Sequence, residues 1–390
     1  MGKIDQYPRL AEAYRRLVVW SSRTIKGIDV NKVVFSCFQG RSYGDSPRVI
    51  SERLHERCPQ AKLVWLLNKE GMKQAAPGMP DYVKLVPYKS RASFVELATA
   101  RVWVDNFTKH NCLRWPKGRQ FYIQTWHGDR AIKKICYDLE LPGDRRVEEK
   151  CARVTTASRF GEEMFRTAFR YRGEYIRAGM PRNDILVRDD PAEAARIREK
   201  LGVAPGTRLL LYAPTYRENA SVVPKRAQMD LDRTLRKLEQ KTGERWLCLY
   251  RAHYLSEGID LEAVRDRIVD VTRYEDMSQL LLAADMVLTD YSSCGMDFII
   301  RNRPALFFIA DWDEYISTRG VYIDMRHSPF LTAENQDALE TLIDSLTPER
   351  VLENCAAIRE WFGYYETGRA TDAVCDYIIQ RLGNDKKWPD

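Results

Sequence analysis

Short apolar runs of strand length alternate with amphipathic stretches along almost the whole chain. That alternation leaves few folds open. Val33–Phe38, Leu63–Leu67, Val83–Val86, Val102–Asp105, Phe121–Thr125, Val154–Ala157 and Tyr175–Ala178 are largely continuous runs rather than in–out patterns. A strand of that kind is covered on both faces, as in a parallel sheet. Helical patterns lie between them. Pro47–Arg57 is opened by Asp45-Ser46 with Pro47 in the first turn, and Ser158–Phe169 has Ser158 as N-cap. The pattern breaks at Asp189-Asp190-Pro191. A helix over Pro191–Leu201, ended by Gly202, then opens a second series. Its strands are Leu209–Ala213, Trp246–Arg251, Ile268–Val271, Met286–Thr289 and Ala305–Ile309. Its helices are Asp230–Lys241, Glu275–Ala284 and Cys294–Arg301. Strand–helix alternation predicts parallel sheets with crossover helices. The expected fold is α/β, two Rossmann-like lobes facing a central cleft. The lobes are placed at 1–190 and 191–347, with helices over 348–390 packing back across both.

Composition narrows the setting. No apolar run approaches the ~20 residues that span a bilayer, and MGKIDQYPRL is too polar for a signal peptide. Nine cysteines stand singly, an odd count without a C-x-x-C pair, which argues against a disulfide framework and a structural zinc site. A reducing, cytosolic address is expected. Lys+Arg number 62 against 55 Asp+Glu, a net charge of +7. That excess suits an anionic substrate or an anionic membrane surface and is too small to demand nucleic acid.

Ligands of open α/β sheets bind beyond the carboxyl ends of the strands, and three such places carry chemistry. FYIQTWHGDRAIKK runs a strand into His127-Gly128 and a basic turn with Arg130, Lys133 and Lys134. A histidine there either accepts a proton near neutral pH or is satisfied by a backbone carbonyl in a turn. The cations favour a phosphate-bearing substrate. LCLYRAHY puts Arg251 and His253 at a strand end of the second lobe. They read as a diphosphate-holding pair or as a surface arginine with a capping histidine. ADMVLTDYSSCGMDF delivers Asp290, Tyr291, Ser292 and Ser293 into a turn that opens a helix. The serines either cap the helix or, with its free N–H groups, hold phosphate. Asp297, one turn on, reaches a ribose hydroxyl or pairs with a cation. Thr215 and Arg217 in YAPTYRE, and Gly40, Arg41, Tyr43 and Gly44 after the first strand, add to the cleft. His55 reads as surface or core; His110 and His327 lie in loops. No H-E-x-x-H or H-x-x-x-H pattern suggests a metal.

Together these loops resemble the CDP-glycerol glycerophosphotransferase family, the teichoic-acid primases and polymerases of bacterial cell walls. The matching pieces are QTWHG (Gln124–Gly128), TAS (Thr156–Ser158), AGMPRND (Ala178–Asp184), YAPTYRE (Tyr212–Glu218), RAHY (Arg251–Tyr254) and LLLAADMVLTDYSSCGMDF (Leu280–Phe298). RNRPALFF (Arg301–Phe308) and the stretch Asp311–Asp324 match as well. The resemblance implies two lobes of the glycosyltransferase-B type. It implies transfer of a polyol phosphate from CDP-glycerol or CDP-ribitol to a hydroxyl, with release of CMP. By resemblance His127 is the general base and His253 meets the departing diphosphate. Ser292 and Ser293 hold the donor phosphates, with Thr215, Arg217, Arg251, Asp297, Gly128 and Lys133 in the substrate site. It implies no metal or cofactor beyond the CDP-polyol, an undecaprenyl-type lipid-linked saccharide acceptor, and no nucleic acid. The chain departs from the family in Asp129-Arg130, where a Thr-Pro-like turn is expected. It also lacks the long N-terminal region of the larger polymerases, which suits a primase or single-unit transferase.

A lipid-linked acceptor implies a cytoplasmic enzyme attached peripherally to the inner face of the cell membrane. Tyr7–Lys26 reads as a basic amphipathic helix lying in that interface, or as a helix docked on the second lobe. The basic-aromatic stretch Lys109–Arg119 is a second candidate. Two other functions fit the same pattern: a nucleotide-sugar-dependent glycosyltransferase of this architecture, and a non-enzymatic protein that binds anionic lipid.

Overall fold

The computed structural model describes residues 8–75, 78–107, 118–139, 148–215, 229–251, 266–318 and 320–383. Seven strands form the first sheet: β1 (Asp29–Ser36), β2 (Lys62–Leu67), β3 (Val83–Pro87), β4 (Ala100–Asp105), β5 (Phe121–Gln124), β6 (Arg153–Thr156) and β7 (Glu174–Arg177). Six form the second: β8 (Arg208–Ala213), β9 (Trp246–Tyr250), β10 (Ile268–Asp270), β11 (Met286–Thr289), β12 (Ala305–Phe308) and β13 (Leu331–Ala333). The orders are β3-β2-β1-β4-β5-β6-β7 and β10-β9-β8-β11-β12-β13, and every pairing is parallel. This is two Rossmann-like lobes of the glycosyltransferase-B type. Strand order reverses between β1 and β4 in one lobe and between β8 and β11 in the other, the two places where such sheets open a crevice.

The helices are α1 (Pro8–Lys26), α2 (Asp45–Arg57), α3 (Lys69–Gln74), α4 (Arg91–Thr99), α5 (Arg159–Ala168), α6 (Asp184–Arg188) and α7 (Pro191–Lys200). They continue with α8 (Leu231–Thr242), α9 (Met277–Ala283), α10 (Cys294–Phe298), α11 (Trp312–Thr318), α12 (Gln336–Asp344), α13 (Pro348–Phe362) and α14 (Ala370–Ile379). Their starts follow the local chemistry. Ser158 accepts from Gly161 N at 2.9 Å, and Asp276 accepts from Ser278 N at 2.9 Å. Sequence patterning missed α3, α4, α6, α11, α12 and the three-residue β13; α3, α6, α11 and β13 are short, and α4 is buried too evenly to show a period. It also ran the first strand on to Phe38. The chain turns earlier because Phe38 and Gln39 adopt φ of 43° and 63°.

Three helices correct or complete the expected arrangement. α1 lies against α4 of the first lobe, not on the second lobe, because Val18 and Val19 join Phe94, Leu97 and Ala98 in one apolar cluster. The C-terminal helices divide between the lobes. Val351, Cys355, Ile358 and Phe362 of α13 sit in the second-lobe core, and Val374, Cys375 and Ile378 of α14 sit with Val33, Phe35 and Trp65.

Between the lobes lies a buried cluster of charge. Arg130, after β5, pairs with Asp297 of α10 and, at 3.0 Å, with Glu366. Arg182 bridges Asp297 at 3.0 Å and Asp45, at the start of α2, at 2.9 Å. The Asn183 amide donates to Asp297 and Glu366, both at 2.9 Å. Arg130 also lies over the Tyr364 ring at 4.3 Å. A further pair, Arg48–Asp276 at 2.8 Å, joins α2 to the start of α9. Burial alone raises the Asp297 carboxyl, but Arg182, Arg130 and the Asn183 amide hold it below the ordinary carboxylate range. Burial pushes Glu366 up to about 7, with the Asp297 and Asp129 charges adding to it against the opposing pull of Arg130 and Asn183.

Removing the central carboxylate strands two buried guanidiniums. Asp297→Ala is therefore expected to cost about 3–5 kcal/mol in urea unfolding. A loss below about 1 kcal/mol shows that the cluster does not hold the lobes in register.

Candidate active site

His127 follows β5 on a short turn. Trp126 before it takes φ of 52°, and the Trp126 amide donates to the Gln124 side chain at 2.9 Å. The imidazole is framed by rings. Phe107 stacks on it at 5.5 Å with 5° between planes, Phe38 meets it edge-on at 5.4 Å, and Trp126 lies at 4.2 Å. Nδ1 is 2.8 Å from the Asn106 carbonyl oxygen. A carbonyl only accepts, so Nδ1 carries the hydrogen and Nε2 keeps its lone pair. The two roles read for this histidine are therefore compatible: the backbone bond that satisfies Nδ1 leaves the Nε2 lone pair available. Asn106 is itself held, its side-chain oxygen accepting from Phe38 N at 2.7 Å. Positive φ at Phe38, Gln39, Asp45 and Trp126 gathers around this one place, as strain tends to at functional sites.

Burial lowers the proton affinity of His127, with the Arg182 and Lys133 charges adding to it. The Asn106 bond and the Asp45 charge oppose them, and the net value falls from 6.5 to about 4. The ring is neutral at pH 7. Without an anion beside it, it is a weak base; a bound diphosphate would raise its proton affinity.

The second lobe meets it at its own strand ends. Ser292 and Ser293 occupy the turn between β11 and α10, and both are partly buried. The Ser292 hydroxyl accepts from Cys294 N at 3.4 Å, and the Ser293 side chain makes no cap. A Cβ on Gly128 would stand 3.0 Å from Ser293 Oγ, so glycine is what lets the histidine turn approach the serines. Thr215, at the end of β8, donates its amide to both Asp290 oxygens at 2.9 and 3.1 Å, which ties the β8 and β11 ends together. Arg251 follows β9, with its guanidinium 3.2 Å from Met277 Sδ. Burial lowers its proton affinity, and among the described residues no carboxylate lies in salt-bridge range of it. A desolvated arginine at a strand end is suited to an anion.

Two expectations are corrected. Arg130 does not serve a substrate phosphate, because its charge is taken up by Asp297 and Glu366. Asp297 takes the cation role rather than the ribose role, since Arg130, Arg182 and Asn183 fill both its oxygens. Lys133 is exposed and its backbone pairs with Val321 across the lobes. Asp129 is bound inward, accepting from Ala157 N at 2.7 Å beside Ser158 and Thr156. Arg217, His253, His110 and most of Lys109–Arg119 lie outside the described residues. Asn106, Phe38 and Phe107 were not singled out by sequence. A polar residue directly after β4, beside the β1–β4 reversal, was the available signal. Among the described residues no group of three or more His, Cys, Asp or Glu is placed to hold a metal.

The chain matches the CDP-Glycerol:Poly(glycerophosphate) glycerophosphotransferase family over residues 18–380. It is 30% identical over 392 residues to the teichoic acid poly(glycerol phosphate) polymerase of Bacillus subtilis strain 168, covering 95% of this chain and 51% of that protein. It is 28% identical over 372 residues to the teichoic acid glycerol-phosphate transferase of Staphylococcus aureus strain NCTC 8325, covering 90% and 93%. The solved structure of the wall teichoic acid polymerase TagF superposes with a TM-score of 0.81 at 26% identity, covering 95% of this chain and 94% of that one. The chain thus spans about half the length of the Bacillus subtilis relative and nearly all of the Staphylococcus aureus one.

His127 should titrate near pH 4 in the folded protein, read by NMR of its ring nitrogens. Between about 4 and 6.5 the unfolded chain binds the extra proton, so this group lowers stability as pH falls through that window. Titration at the ordinary 6.5 contradicts the desolvated, neutral setting.

Proposed function

Because the chain belongs to the CDP-glycerol:poly(glycerophosphate) glycerophosphotransferase family, we propose that it transfers glycerol phosphate from CDP-glycerol to an acceptor hydroxyl, in the making of a teichoic-acid-like polymer. The observation that carries the reading is His127, locked in one tautomer by the Asn106 carbonyl and followed by Gly128, where a Cβ would stand 3.0 Å from Ser293 Oγ. Glycerol is proposed over ribitol because the relatives named above act on glycerol phosphate.

Nε2 of His127 takes the proton of the acceptor hydroxyl. The acceptor oxygen attacks the β-phosphorus in line, forming the new phosphodiester. The bond from that phosphorus to the bridging oxygen breaks, and CMP leaves with the electron pair. Arg251 and the amides and hydroxyls at Ser292–Ser293 meet the charge that grows on the leaving phosphate. His253 and Arg217, which follow the same strand ends in sequence, are proposed to complete that side. The reading includes no metal or cofactor beyond the donor.

The acceptor is proposed to be lipid-linked, with the enzyme held at the inner face of the cell membrane. No helix among the described residues is long and apolar enough to cross a membrane. α1 nevertheless exposes Leu10, Leu17, Trp20 and Ile25 at 62, 59, 65 and 81% on one stripe, with Arg16, Arg23 and Lys26 on the same helix. That composition suits an interfacial helix whose inner face is already docked on α4.

Incubation with CDP-glycerol and a short lipid-linked acceptor should release CMP. His127→Ala should lower turnover ~10²–10⁴-fold or more with the fold intact by circular dichroism. Near-normal turnover removes His127 from the mechanism. The protein should float with vesicles rich in anionic lipid at low salt, and Leu17→Glu/Trp20→Glu should abolish flotation. Absence of wild-type binding overturns peripheral attachment.

A further inference from the structure

A cavity opens at the carboxyl edge of the first sheet, where β1, β2 and β3 end. It measures about 700 Å³ and is lined by Gln39, Arg41, Asn68, Lys69, Lys73 and Lys89, with Leu67 and Pro87 ending the strands behind it. No carboxylate lines it. Lys69, Lys73 and Lys89 are exposed, and among the described residues none of the three is in an ion pair. Lys69 and Lys73 stand four apart on α3, a like-charge spacing that weakens a helix. The first amides of α3 are already taken, since the Asn68 side chain accepts from Glu70 N and Gly71 N at 3.0 and 2.9 Å. The three lysines are therefore not explained by capping or by an ion pair among the described residues.

The cavity adjoins the base. Its floor is the turn after β1, held by Asn68 N donating to the Gly40 carbonyl at 2.7 Å and by Arg41 Nε donating to the Phe38 carbonyl at 3.2 Å. Phe38, next in sequence to the lining residue Gln39, is the ring that meets His127 edge-on at 5.4 Å. A Cβ on Gly40 would fall 2.8 Å from Asn68 N and 2.9 Å from the Leu66 carbonyl oxygen, so only glycine fits the turn against β2. The groove thus begins one residue in sequence beyond the frame of His127.

We infer that this groove, lined by Arg41, Lys69, Lys73 and Lys89, holds phosphodiester groups of the acceptor chain behind its reacting hydroxyl. The inference rests on the transferase reading above, which places the donor on the second lobe and leaves this edge to the acceptor. Repeating anionic phosphates separated by polyol hydroxyls match four cations interleaved with the Gln39 and Asn68 amides. The arrangement favours an acceptor that already carries several phosphates over one that carries a single phosphate.

The test uses the full chain and a soluble, lipid-free trimer of glycerol phosphate, with glycerol 3-phosphate as the single-phosphate control. By calorimetry without donor, the trimer should bind about tenfold or more tighter than the monomer, and Lys69→Ala/Lys73→Ala/Lys89→Ala should erase that difference. In turnover with CDP-glycerol, the same variant should raise KM for a three-phosphate acceptor by a similar factor and lose the wild-type dependence on phosphate number. A variant that keeps the preference overturns the inference. So does one that loses only binding to anionic vesicles, which assigns the lysines to a membrane. Trimer binding that is erased by the variant, in a protein that never consumes CDP-glycerol, leaves the groove standing and sinks the transferase reading instead.

Discussion

Two guanidiniums, Arg130 and Arg182, lie between the lobes among four carboxylates, Asp45, Asp129, Asp297 and Glu366. Everything in the cleft depends on how that imbalance is settled. The carboxylates outnumber the guanidiniums in this buried space, and a proton on one of them relieves the imbalance. Glu366 is the one raised to about 7, and Asp297, touched by both arginines, is the one held down. Between about 4.5 and 7 the folded protein therefore binds the extra Glu366 proton, and this group's stabilising share fades as pH rises through that range. His127 has the opposite sign between about 4 and 6.5, so over much of the acid range the two slopes offset each other.

The cluster is also what sets the distance across the cleft. Arg130 is three residues from His127, and Asp297 is four from Ser293. Pairing Arg130 with Asp297 thus brings the histidine turn of one lobe to the serine turn of the other, where Gly128 and Ser293 come nearly into contact. The pairing of Lys133 with Val321, and of Lys134 N with the Gly320 carbonyl at 2.9 Å, continues the seam. A buried ion pair is weak evidence for stability in general. Here its better-supported use is registry: it fixes which strand end faces which.

Much of this was legible in the sequence. Continuous apolar runs reported both parallel sheets, because strands covered on two faces cannot alternate, and strand ends reported where His127, Arg251 and Ser292–Ser293 would lie. What was not legible depends on partners far apart in the chain. Arg130 read as a phosphate cation because its sequence neighbours are lysines; its actual neighbours, Asp297 and Glu366, lie 167 and 236 residues away. The tautomer of His127 rests on a backbone carbonyl at Asn106, which no side-chain pattern encodes. The cations of the basic groove belong to three different segments and form no motif, although Gly40 and Arg41 at its floor did stand out as a strand-end turn.

One consequence ties the structural charges to the chemistry. Arg182 is shared between Asp45 on the first-lobe side and Asp297 on the second, and His127 feels Asp45 and Arg182 with opposite signs. The more fully Asp297 neutralises Arg182, the less that arginine opposes a proton on His127. The contact that joins the histidine turn to the serine turn thus also engages one of the two cations that, after burial, work against a proton on His127.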